Sequence, residues 1–174
     1  MKWTYLALLA FAPALAGLAG CGSGPATEST AQTDIDGKQF MLTAEPDGAV
    51  GVIAARESAE DGAPLVIVGR VGGSANPWID GRAAFMLLDA SMSVVAEGEN
   101  STEGELCTGD CCATERLACT TLVKVVDAGG QVVPVDSRKL LGLKESDMVV
   151  VEGTAKKDKS GNFSMLATRV FIRK

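Results

Sequence analysis

The chain has 174 residues and is acidic, with 16 Lys and Arg against 22 Asp and Glu for a net charge of −6. It contains no histidine, which removes the commonest general base, the commonest metal ligand and the usual partner of a nucleophilic serine. Its negative balance and its few aromatic residues, 5% of the chain, weigh against nucleic-acid binding, which needs basic side chains for phosphates and rings for stacking.

Residues 1–20 have the layout of a secretory signal peptide. Lys2 gives a positive start, Trp3 to Ala16 is an uncharged apolar run, and Leu18-Ala19-Gly20 puts small residues before Cys21. The run is shorter than the about 20 apolar residues that span a membrane. The ending resembles the lipobox of bacterial lipoproteins. That resemblance implies cleavage before Cys21, multiple acylation of this cysteine and a mature chain held in the cell envelope by lipid, on the periplasmic or outer-membrane side. Two or more acyl chains anchor stably where one does not. Gly22 is not the aspartate that retains some lipoproteins at the inner membrane, which favours outer-membrane sorting. Residues 22–33 are small and polar and build no core, so residues 21–36 are expected to form a lipidated, flexible tether.

Residues 37–63 read as a helical lead-in. Glu45-Pro46-Asp47 is a helix-start signal. Ala49, Val50, Ile53 and Ala54 recur at helical spacing opposite Arg56, Glu57 and Glu60, and Gly62 stops the pattern. From Pro64 the period changes. Pro64 to Val71 is β-branched and predicts a strand, broken by the run from Gly72 to Pro77. Ala83 to Asp89 predicts a second strand. A polar stretch, residues 97–119, holds the remaining cysteines. Thr120 to Asp127 predicts a third strand, with Asp89 and Asp127 as turn formers at strand ends. Gln131 to Val135 is a short extension, and Ser137 to Leu143 suits one or two helical turns. Met148 to Ala155 and Phe163 to Ile172 predict two more strands, joined by a loop over Lys156 to Asn162 with Ser160-Gly161 as its turn signal.

Five strands with a short helix between the third and fourth is the order of an OB-fold, a small Greek-key barrel. The expected class is therefore mainly β: an OB-fold-like barrel over 64–174, carrying a Cys-rich insertion at 97–119 and preceded by one amphipathic helix. Gly69 suits the sharp bend of a first barrel strand. Val68-Gly69-Arg70-Val71-Gly72-Gly73, Asn76-Pro77-Trp78, Gly81-Arg82-Ala83-Ala84-Phe85 and Val149-Val150-Val151-Glu152-Gly153 resemble a group of planctomycete-type secreted OB-fold proteins of no established activity. In that group an aromatic, proline-containing spacer separates cysteines, whereas here only Thr108-Gly109-Asp110 stands between Cys107 and Cys111.

Cys107, Cys111, Cys112 and Cys119 lie between the second and third predicted strands. Outside the cytoplasm such a set first suggests disulfides. Adjacent Cys111 and Cys112 pair poorly. This leaves Cys107–Cys111 with Cys112–Cys119, or Cys107–Cys112 with Cys111–Cys119. The alternatives are a thiolate metal site, holding zinc, copper(I) or an iron–sulfur cluster, and free or redox-active thiols. The spacing C-x3-C-C-x6-C is not a pair of C-x-x-C knuckles, so no cofactor is expected and metal is the minority reading.

OB-folds bind ligands on one sheet face flanked by the loops joining strands one to two and four to five. The first loop here holds Trp78 and is flanked by Arg70 and Arg82, and the second holds Lys156, Lys157 and Lys159. A basic, aromatic rim suits an anionic ligand, a saccharide or a protein partner. Trp78 also suits a plug of the barrel end, and lysines at a hairpin tip also suit a solvated turn. No catalytic constellation is visible in the sequence. The expectation is a lipid-anchored envelope binding or interaction module, ahead of a cysteine-based metal or redox protein and, further behind, a nucleic-acid binder.

Overall fold

A computed structural model describes residues 35–95, 105–107 and 113–174. The signal, Cys21, the tether to residue 34, Cys111 and Cys112 lie outside these. The elements in chain order are a 3-10 turn at Gly37–Phe40, β1 at Val50–Gly51, α1 at Val52–Ser58, β2 at Pro64–Val71 and β3 at Ala84–Asp89. They continue with β4 at Ser93–Val95, β5 at Glu105–Cys107, α2 at Ala113–Cys119, β6 at Thr120–Val125, α3 at Ser137–Leu141, β7 at Met148–Lys157 and β8 at Phe163–Ile172.

β2, β3, β6, β8 and β7 pair in that order and β7 returns to β2, closing a five-stranded mixed barrel. All its contacts are antiparallel except β6 with β8, where Leu122 faces Ser164 and Val125 faces Ala167. This is the OB-fold-like barrel that the strand order predicts. β2 serves two neighbours along its length. Residues 64–70 pair with β7, and residues 69–71 pair with β3. The switch falls on Gly69, where a Cβ would stand 2.4 Å from the Leu88 carbonyl oxygen. Only glycine lets the two strands approach this closely.

Inward residues fill the barrel. Ile67, Phe85, Leu87, Val123, Val151 and Met165 have no exposed surface. On β8 the inward set is Phe163, Met165 and Ala167, then Val170. The odd-to-even change comes from a bulge: Glu152 pairs with Arg169 and Gly153 with Ala167, so Thr168 is left over. Such a bulge shifts which alternate side chains face inward.

α3 begins at Asp136, whose carboxylate accepts from the Arg138 amide, and ends at Gly142 in the left-handed region (φ 70°). Its Leu140 and Leu141, with Leu143, enter the core at the end where β6 and β8 leave. The helix before the barrel is shorter than its sequence signal. It spans Val52–Ser58 rather than starting at Glu45, because Val50 and Gly51 instead form β1 alongside Ile67 and Val68. Its buried face is Val52 and Ala55, whereas Ala54 is exposed. α1 covers the opening where β3 parts from β2.

The structure adds a small parallel pair, β4 with β5, and the helix α2 to the Cys-rich stretch. Residues 131–135 contribute one bridge, Val126 with Val132, rather than a strand. β7 runs on to Lys157, so the hairpin turn is shorter than expected. No helix among the described residues is long and apolar enough to cross a membrane.

Candidate functional site

Trp78 lies in the β2–β3 connection and pairs through its backbone with Phe85. The two rings are 6.5 Å apart at 49°, and Trp78 packs against the core. The Arg138 guanidinium of α3 sits 5.5 Å from the ring centre, at cation–π range. Arg138 in turn is held by Asp136 at 2.6 Å and Asp80 at 2.8 Å. Its hydrogen bond to Asp136 raises the Arg138 pKa, and the same bond lowers that of the Asp136 carboxyl. One face of Trp78 is therefore covered by an arginine already committed to two aspartates. Arg82 joins this packing through its main chain, since its carbonyl accepts from the Ser137 hydroxyl at 3.5 Å.

The lysines are elsewhere. Lys156 and Lys157 belong to β7, and Lys159 is exposed in the turn. Lys156 Nζ pairs with Asp61 at 3.0 Å. The Lys157 amide donates to the same carboxylate at 2.9 Å, and this bond, with that of Lys156, holds Asp61 below its ordinary pKa. Pro64 at the start of β2 faces Thr154 of β7, whereas the Trp78 loop leaves from the far end of β2. An eight-residue strand separates them by about 25 Å. Trp78 and the three lysines thus do not form one rim.

Arg70 stands in a different setting. A cleft of about 350 Å³ opens between the start of the β2–β3 connection and the turn before β7, lined by Arg70, Gly73, Ser74, Ser93, Glu145 and Ser146 among others. Arg70 is half-buried and donates from Nη1 to the Ser146 carbonyl at 3.3 Å. Among the described residues that is its one acceptor, and Glu145 is in no ion pair. The wall opposite is pinned to β2 in both directions: the Ser146 amide donates to Val71 O and the Val71 amide to Asp147 O, each at 2.8 Å. Ser146 is held at φ 69°, the one non-glycine residue in the left-handed region among the described residues. Such strain costs about 1–3 kcal/mol and collects at binding sites. Gly73 is buried, yet none of the described residues accepts its N–H.

Of the cysteines, Cys107 ends β5 and Cys119 ends α2. Cys119 is a half-buried free thiol. Burial raises its pKa, with the nearby Asp89 charge adding to the effect, which keeps it protonated and weakly nucleophilic. No metal-holding group of side chains exists among the described residues.

Sequence reasoning missed the role of Asp89. It is buried, and its Oδ2 accepts from the Ile53 amide at 2.9 Å, capping α1 from 36 positions away. Oδ1 takes the Ser91 amide and hydroxyl. The N-cap position itself is Gly51, where a Cβ would meet Asp89 Oδ2 at 2.6 Å. Here the helix lacks its own capping side chain and borrows one from a strand end. Asp127, by contrast, is the local turn former its position suggests, accepting from the Gly129 and Gln131 amides.

No family model matches the chain, and a search of curated proteins finds no significant relative.

Proposed function

We propose that this protein is a lipid-anchored cell-envelope module that binds a ligand on the outside of an OB-fold-like barrel. The anchor reading rests on Lys2, the apolar run and Leu18-Ala19-Gly20-Cys21. The binding reading rests chiefly on one observation. The barrel interior is filled, and the cleft beside it, lined also by Val71, Ala75 and Leu88, contains an arginine and a glutamate that no other side chain of the described residues neutralises. Arg138 and Arg173, by contrast, are each committed to carboxylates, and Arg56, which like Arg70 bonds a main-chain carbonyl, does so outside this cleft. Loops on a rigid scaffold are where binding residues concentrate.

Two measurements test the reading. The membrane fraction should yield a chain beginning at acylated Cys21, and a soluble product with Met1 intact would remove the anchor. Hydrogen exchange with and without isolated cell-wall polymer should show protection at residues 70–76 and 144–147. Unchanged exchange over the whole chain would remove the binding reading.

A further inference from the structure

We infer that the Arg70 cleft is a subsite for an uncharged, hydroxyl-rich ligand, a neutral saccharide of one or two rings. This rests on the binding-module reading and specifies its ligand. The volume of about 350 Å³ lies at the small end of pockets that hold small molecules. The chemistry of the lining decides the class. A lone guanidinium would favour an anion, but here Arg70 is accompanied by Glu145, so the charges of the lining cancel. The net charge of −6 gives an approaching anion no long-range attraction either. What remains is a set of donors and acceptors side by side. The Arg70 guanidinium and the Gly73 amide donate, the Glu145 carboxylate accepts, the Ser93 hydroxyl does both, and the Ser74 hydroxyl, whose hydrogen goes to the Asn76 carbonyl at 2.8 Å, accepts. Neighbouring sugar hydroxyls each donate and accept, and so can satisfy such a set without bringing a charge. The geometry is also fixed before a ligand arrives. The Ser146 carbonyl orients Arg70, and the strained backbone at Ser146 is held by its own amide donating to the Val71 carbonyl and by the Val71 amide donating to the Asp147 carbonyl. A site held in its binding shape loses less freedom on binding.

The test is an NMR and calorimetric titration of the protein with neutral disaccharides of glucose and of N-acetylglucosamine, and separately with inorganic phosphate. The expected result is saturable binding of at least one disaccharide, with shifts centred on residues 70–75 and 145–146. Arg70→Met and Glu145→Gln should each weaken it at least tenfold, and Lys159→Ala at the far end of the barrel should leave it unchanged. If Arg70→Met fails to fold, Arg70→Lys keeps the charge but loses the planar fork, and should still weaken binding severalfold. Phosphate binding that displaces the disaccharide would make this an anion site and overturn the inference. So would disaccharide binding that survives both substitutions, or no binding of any disaccharide. These failures are separable from failure of the broader reading. Protection by cell-wall polymer away from residues 70–76 would leave the module standing and remove only this cleft.

Discussion

Asp89 shows how one carboxylate can organise two elements. Burial alone would raise its pKa, but hydrogen bonds from Ser91, Ile53 and Val52 outweigh it and hold the group below its ordinary value. A carboxyl whose pKa is lower folded than unfolded contributes stability above the unfolded value, near about 3.9. That contribution is lost as the pH falls through the folded value. Urea denaturation should therefore show wild-type stability declining below about pH 4. Asp89→Asn should cost about 1–3 kcal/mol at neutral pH, since it leaves amide donors unpaired, and should flatten the acid limb. An unaltered limb would mean that the cap does not couple to folding. Nothing in the local sequence announces this role. An aspartate at a strand end is ordinary turn chemistry, and its partner lies 36 positions away.

At the scale of elements, the strands were legible and the lead-in was only half so. Pro64–Val71, Ala84–Asp89 and Phe163–Ile172 carry β-branched or apolar runs bounded by glycine, proline or polar turns, and such runs specify strands strongly. Residues 45–62 carry a helical pattern that tertiary pairing overrides. Val50 and Gly51 pair with Ile67 and Val68 instead, a context effect that propensity does not encode. The lead-in is also part of the core. Phe40 is 6% exposed and packs with Val170 and Leu140, and the Leu42 amide donates to Val170 O at 2.8 Å. Phe40→Ala should therefore lower the unfolding free energy by about 3–5 kcal/mol in chemical denaturation. A loss well under 1 kcal/mol would mean that this segment rests on the barrel without belonging to its core.

Considered whole, the unit from residue 35 onward is, among the described residues, a barrel stoppered at both ends, by α1 where β3 parts from β2 and by α3 with Trp78 at the other. If the stoppers and barrel are one cooperative unit, the amides of Leu42 and Ile53 should exchange hydrogen with the same free energy as that of Val151. Faster exchange at the first two would show the lead-in opening by itself. The candidate site was less legible than the barrel. Arg70 was visible beside a glycine run, but Ser146, which accepts from it, and Glu145, which shares its cleft, come from a turn 76 and 75 positions later, in a stretch with no motif. The register that brings them together appears only once β2 and β7 pair, with Arg70 opposite Met148. The same register takes Lys156 to the opposite end, so proximity inferred from loop names alone misleads.

The clasp between Glu45 and Arg173, beside the Met41–Val170 bridge, has a practical consequence. A fluorescent protein or affinity tag attached beyond Lys174 would emerge next to residues 41–45 and would press on that part of the lead-in. The turn at residues 158–162 points the other way, so it is the better place to insert a reporter.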